Sequence, residues 1–211
     1  MDEVAKYDCS VIIPQLGLTE LTRGLVGQIR EHECDSRVEI IAAINDETGH
    51  PIIPDCKKVH IREKNLSRSW NKAVEYCSSN SIILLNNDVI CKGKFTKTLS
   101  SLIADGKAFA GARKRRESLI DGRKILEGWC IAFRRETWMK LGGFDETMEL
   151  YFADTDFMLR GMREGVEIKA AKLPLEHMGH KTAHNKKLRP DRHQRYTQDR
   201  EWFREKHRGQ A

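Results

Sequence analysis

A chain of 211 residues is long enough for one well-filled domain and too short for two ordinary domains joined by a linker. With 39% hydrophobic and 32% charged residues it falls outside the disordered class, and no segment approaches the length of a membrane span. The formal net charge of +6 is unevenly spread: residues 181–211 hold ten Lys/Arg against four acids, while residues 1–180 hold 27 of each.

Cys9 to Pro14 reads as a first strand, closed by proline, and Thr19 is placed to cap a helix with Leu21, Leu25, Val26 and Ile29 at helical spacing. Val38 to Ile44 is a second strand running into Asn45-Asp46-Glu47. Lys58 to Ile61 is a short third, and Ser67 to Cys77 is a helix with Trp70, Ala73, Val74 and Cys77 on one face. Ser81 to Leu85 is an apolar, buried strand that stops at Asn86-Asn87-Asp88. Phe95 to Ile103 reads as helix, Ala108 to Ala112 and Leu126 to Phe133 as strands, and Arg135 to Leu141 as a short helix ended by Gly142-Gly143. Asp154 to Arg163 is a further helix stopped by Gly165, and Val166 to Ala170 a last strand. The alternation predicts an α/β fold: a single domain over residues 1–180 with a central, mostly parallel sheet flanked by helices. A basic, helical C-terminal tail over 181–211 follows.

The six cysteines, at 9, 34, 56, 77, 91 and 130, form no CxxC pair and no metal-ligand spacing, so reduced and mostly buried thiols are expected. Met1 to Asp8 lacks a positive, apolar leader, which predicts a cytoplasmic protein with no integral membrane segment, or one peripheral to the membrane through its tail.

In open α/β sheets, ligands gather beyond the carboxyl ends of the strands. Pro14, Asn45, Asp46, Asn86, Asn87 and Asp88 all stand at such ends, an edge suited to a nucleotide with its base and ribose over the first strands and its phosphates near Asp88. The chain has no Walker motif and no GxGxxG. A divalent cation on Asp88, Mn²⁺ or Mg²⁺, is the natural substitute for a glycine loop in holding two phosphates.

Four segments in order sharpen this: Ser10-Val11-Ile12-Ile13-Pro14, Leu85-Asn86-Asn87-Asp88-Val89, Gly142-Gly143-Phe144-Asp145-Glu146, and Tyr151-Phe152-Ala153-Asp154-Thr155-Asp156-Phe157. Over about residues 8–182 the chain resembles the inverting, family 2-like nucleotide-sugar glycosyltransferases of the GT-A fold. The resemblance implies a UDP-, GDP- or dTDP-sugar donor, a hydroxyl acceptor on a saccharide or glycan, and Mn²⁺ or Mg²⁺ as cofactor. It assigns Asp88, as the last residue of a DXD-type motif, and His177 to the metal, and Asp154 to the catalytic base that takes the acceptor proton. It places Asn45, Asp46, Asn65 and Asn71 with Asn86 and Asn87 around the nucleotide, and Trp129, Gly143 and Asp156 at the sugar and acceptor cleft. His180 and Lys181 fall beside the departing diphosphate. Asn86 and Ala153 each stand where the family usually has an acid.

Two other readings compete. Tyr196, Trp202 and Phe203 lie among arginines in the tail, which would suit an anionic partner, either a membrane surface or nucleic acid, and so sugar transfer onto a modified base in DNA. A binding module for nucleotide sugar or nucleic acid without catalysis is the third, and retention of both Asp88 and Asp154 argues against it.

Overall fold

The computed structural model describes residues 6–45, 51–61, 63–117, 122–179, 181 and 185–209. At its centre is a seven-stranded sheet in the order β10-β6-β9-β4-β1-β2-β3. The strands are β1 (Cys9–Gln15), β2 (Val38–Ile44), β3 (Lys57–His60), β4 (Ser81–Leu85), β6 (Ala108–Gly111), β9 (Cys130–Arg134) and β10 (Glu167–Ala170). All neighbours run parallel except β9, which is antiparallel to both β4 and β6.

The central strands read as unbroken apolar runs because both of their faces are covered. Ile12, Ile41, Ile82 and Leu84 point to one side, where they meet Trp70, Ala73 and Val74 of α2 (Leu66–Glu75) and Phe157 of α5 (Ala153–Arg163). Val11, Ile13, Ile40 and Leu85 point to the other, against Leu25, Val26 and Ile29 of α1 (Thr19–His32) and Leu99 of α3 (Thr96–Leu102). Phe144, which follows α4 (Arg135–Lys140), packs on Phe157 with ring centroids 4.4 Å apart and on Trp70 at 4.9 Å. Ser10, within the first strand motif, is structural: its hydroxyl donates to buried Glu39 and accepts from the Ser79 N–H.

Three local readings change. Thr19 is the first helical residue, not the cap; Leu18 takes that place with φ +48° and no side-chain capping bond. The expected strand 126–133 is two elements, because β7 (Lys114–Glu117) and β8 (Arg123–Leu126) form a hairpin off the main sheet, and Glu127 and Gly128 turn the chain into β9. A two-stranded antiparallel ribbon of β5 (Val89–Cys91) and β11 (Leu175–His177) was not anticipated; both strands are too short to show an alternation.

The tail is packed against the body. In α6 (Arg192–Lys206), Phe203 is 1% exposed within the main core cluster, and Asp199 is equally buried. Among the described residues no helix is long and apolar enough to cross a membrane.

Candidate functional site

β1, β2 and β4 end side by side. Gln15 is in register with Ile44, the Asn45 N–H donates to the Gln15 carbonyl at 2.8 Å, and β4 gives way to Asn86, Asn87 and Asp88. Pro14, Asn45, Asn86, Asn87 and Asp88 line one pocket there. The Asn87 amide donates to Thr22 Oγ1 at 3.3 Å, and the Asn45 amide donates to the Glu63 carbonyl at 2.6 Å and meets Ser69 Oγ. The tail closes this pocket with Arg189, 3% exposed, which donates to the Lys64 carbonyl and to Asp191. Its Nε–H is buried without an acceptor among the described residues, a costly state unless a ligand supplies one.

The β5–β11 ribbon decides the geometry around Asp88. Val89 is paired with His177 across the ribbon, so residues 89 positions apart meet, with His177 Nε2 3.1 Å from Asp88 Oδ1. The Lys181 N–H donates to Asp88 Oδ2 at 2.7 Å, while the Lys181 side chain is exposed. Burial pushes the Asp88 carboxyl up, but the His177 and Lys181 hydrogen bonds outweigh it and hold the group below the usual carboxylate range. The His177 ring is stacked on Trp129 at 5.2 Å and 9°, and Trp129 Nε1 donates to Glu127 at 2.7 Å.

The chemistry of this donor set fits a hard divalent cation. Asp88 and His177 converge as an oxygen and a nitrogen donor, and no group of three His, Cys, Asp or Glu gathers among the described residues. Two protein ligands leave the other positions of such an ion to substrate oxygens and water.

A wider cleft of about 650 Å³ adjoins the first pocket, sharing Asn86, Leu66 and Leu150 with it, and contains His177, Trp129 and Asp154. Asp154 lies in the first turn of α5, after Phe152, whose backbone is left-handed at φ +63°. Burial pushes the Asp154 carboxyl above its ordinary range, and the positive charge of Arg115 offsets part of this. Gly128 makes room for Asp154: a Cβ at residue 128 would stand 2.1 Å from Asp154 Oδ2. Trp70 also lines the cleft, and its indole N–H is buried without an acceptor among the described residues.

Other residues predicted at the site belong to the scaffold. Asn65 caps α2 by accepting from the Arg68 N–H, and its amide donates to the Glu146 carbonyl. Asn71 is used on both sides, donating to the Phe144 carbonyl and Glu146 and accepting from the Phe144 N–H and Trp138 Nε1. Gly143, at φ +75°, packs against Asn71 and gives its carbonyl to Arg160. Asp156 is fully buried on the far side of the α5 first turn, paired with Arg160 at 2.8 Å, His207 at 2.9 Å and Lys206 at 3.0 Å. The spacing of a helix accounts for this, since two residues separate side chains by about 200°, so Asp154 and Asp156 cannot share a face. Asp46 and His180 lie outside the described residues.

The sequence reading did not single out Arg189 or Arg200 for the site. Arg113 and Arg115 were visible only as part of a basic run, and Tyr196 only as an aromatic of the tail. Arg200 and Tyr196 reach the cleft from α6, and Arg113 and Arg115 come from the hairpin side.

Solved structures with this arrangement of strands and helices decide the fold. A mannosyltransferase from Pyrobaculum calidifontis, in complex with GDP-Man and Mn²⁺, superposes with a TM-score of 0.63 at 16% identity over 80% of this chain and 55% of its own. Glucosyl-3-phosphoglycerate synthase from Mycobacterium tuberculosis, with Mn²⁺, UDP and glucosyl-3-phosphoglycerate, gives 0.64 at 14% over 82% and 72%. Drosophila β1,4-galactosyltransferase 7, with xylobiose, gives 0.59 at 11% over 85% and 71%. The fold is GT-A. The chain spans about half the length of the Pyrobaculum calidifontis structure. No family model matches the sequence, and no curated protein matches it.

Proposed function

We propose that this GT-A protein is a metal-dependent inverting glycosyltransferase, moving a sugar from a nucleoside-diphosphate sugar to an acceptor hydroxyl on a saccharide or glycan. The observation that carries the reading is the junction of the two pockets. Asp88 lines the pocket at the strand ends, while His177, which meets Asp88, lines the adjoining cleft together with Trp129 and a raised, partly enclosed carboxylate, Asp154. The GT-A structures that resemble it were solved with GDP-Man, UDP and Mn²⁺, which supports the donor and cofactor class.

In this reading the nucleotide lies over Pro14, Asn45 and Asn87, and Arg189 gives its spare N–H to it. Asp88 and His177 would hold Mn²⁺ or Mg²⁺, which when bound supplies positive charge to the diphosphate as it leaves. Asp154 accepts the proton of the acceptor hydroxyl as that oxygen forms its bond to the anomeric carbon, and the bond from that carbon to the diphosphate oxygen breaks on the opposite face. A base with a pKa nearer neutrality is better matched to this task than an ordinary carboxylate, and burial moves Asp154 in that direction. Trp129, stacked on His177, fixes the imidazole plane.

Thermal unfolding with UDP, GDP and dTDP, with and without Mn²⁺, tests the donor site, because a ligand that binds only the folded state raises its stability. One nucleotide is expected to raise the melting temperature only with the metal, and Asp88→Ala is expected to abolish the rise. If no nucleotide raises it, the reading fails.

A further inference from the structure

The cleft around Asp154 is lined by three arginines and three acids, Glu117, Glu127 and Asp154, but the acids do not engage all three arginines. Arg113, Arg115 and Arg200 all line it. Arg115 is engaged within the protein, paired with Glu117 and donating to Thr155 Oγ1 at 3.1 Å. Arg113 is held only loosely: its side chain is 72% exposed, and its ion pair with Glu127 is long, at 3.9 Å, beyond hydrogen-bond reach and with a carboxylate already accepting from Trp129 Nε1. Arg200 is half-buried and makes no ion pair or side-chain hydrogen bond among the described residues. Its neighbour Asp199 is committed elsewhere, accepting from the backbone N–H groups of Glu149, Leu150 and Tyr151.

A partly desolvated guanidinium without a counter-charge is unfavourable, and its planar fork matches a phosphate or carboxylate in two parallel hydrogen bonds. Trp70, Phe152 and Tyr196 give the same cleft aromatic surface that suits the face of a sugar ring. Resting on the transferase reading, we propose that the acceptor is an anionic saccharide. Its phosphate or carboxylate pairs with Arg200 and Arg113 while its hydroxyl reaches Asp154. A neutral saccharide would leave the Arg200 guanidinium to water and Arg113 to its long pair with Glu127.

The test uses wild-type protein and Arg200→Gln, each saturated with UDP and Mn²⁺ or GDP and Mn²⁺, whichever raises the melting temperature. Glucose 6-phosphate, glucuronic acid and methyl glucoside are titrated calorimetrically, the first two separating a phosphate from a carboxylate. At least one anionic sugar is expected to bind about tenfold or more tightly than methyl glucoside, as a charge-assisted contact implies. Arg200→Gln is expected to erase that difference while leaving nucleotide affinity and melting temperature unchanged. Equal affinity for all three sugars, an equal loss of all three in the variant, or no binding of either anionic sugar overturns the proposal. Displacement of the bound anionic sugar by a short DNA oligonucleotide that binds more tightly would overturn it in favour of a nucleic-acid acceptor. Absence of any nucleotide binding would overturn the transferase reading instead, and the sugar titrations are then read on the protein alone.

Discussion

At position 128 the absence of a side chain is what gives the Asp154 carboxylate its place in the cleft. The Cβ of an alanine there would stand 2.1 Å from Asp154 Oδ2, so the carboxylate, the movable partner, must swing away. Gly128→Ala is expected to lower kcat by about 100-fold, the scale of a misplaced catalytic group, with nucleotide binding retained; steady-state kinetics beside a thermal-shift control check it. Asp154 itself gives a pH signature. Its carboxyl is raised by burial and lowered in part by Arg115, so, with Asp154 as the proposed base, the acid limb of kcat/KM is expected above the ordinary carboxylate range. Removing the cation in Arg115→Gln destabilises the ionised form and is expected to move that limb to still higher pH.

Asp156 behaves in the opposite sense. Burial pushes its carboxyl up, but His207, Arg160 and Lys206 bring it down to about 2 from 3.8. A depressed carboxyl stabilises the fold above the unfolded pKa and loses that contribution as pH falls through the folded one. The loss therefore falls between about pH 4 and pH 2 and amounts to about 2 kcal/mol. Urea titrations across that window are expected to show the slope in the wild type and a flatter profile in Asp156→Asn. Asp154 and Asp156 look alike in the sequence; their surroundings assign one to the cleft and the other to the fold.

Among the elements, α6 has the largest consequence for the site. Its Asp199 gathers three consecutive backbone N–H groups of the 149–151 segment, and its Phe203 packs on Phe152 with centroids 5.5 Å apart. Phe152 sits at φ +63°, a conformation that a bulky residue holds only when its surroundings enforce it. The helix thereby sets the entry to α5 and the position of Asp154. Phe203→Ala is expected to cost about 3–5 kcal/mol of stability, measured by denaturant unfolding, and to weaken catalysis beyond what the stability loss explains. The central strands and α1 were legible because burial on both faces or on one stripe leaves a periodic mark. The β5–β11 ribbon left no such mark, since three-residue strands carry no period, and α6 buries only Asp199 and Phe203, while its other aromatics, Tyr196 and Trp202, are exposed.

For the whole molecule, the thiols report packing. Cys9, Cys77, Cys91 and Cys130 are buried, Cys56 is half-buried and Cys34 is exposed, all as free thiols. Burial pushes Cys9, Cys77 and Cys130 up to about 12. A thiol-reactive dye is expected to label Cys34 first in the native protein and all six cysteines in denaturant; rapid labelling of Cys130 in native buffer would contradict this packing.

By itself the sequence determined the sheet, the helices that cover it, and the polar strand ends at Asn45 and Asn86 to Asp88, because burial and chain reversal act on neighbouring residues. Only the tertiary structure decided that the β5–β11 ribbon brings His177 to Asp88, a pairing the resemblance implied without its means, that Asn65, Asn71, Gly143 and Asp156 serve the scaffold, and that Arg189, Tyr196 and Arg200 line the two pockets. Those outcomes depend on residues many positions apart meeting, and a one-dimensional pattern carries a residue's own preference for burial or charge without naming the partner that will satisfy it.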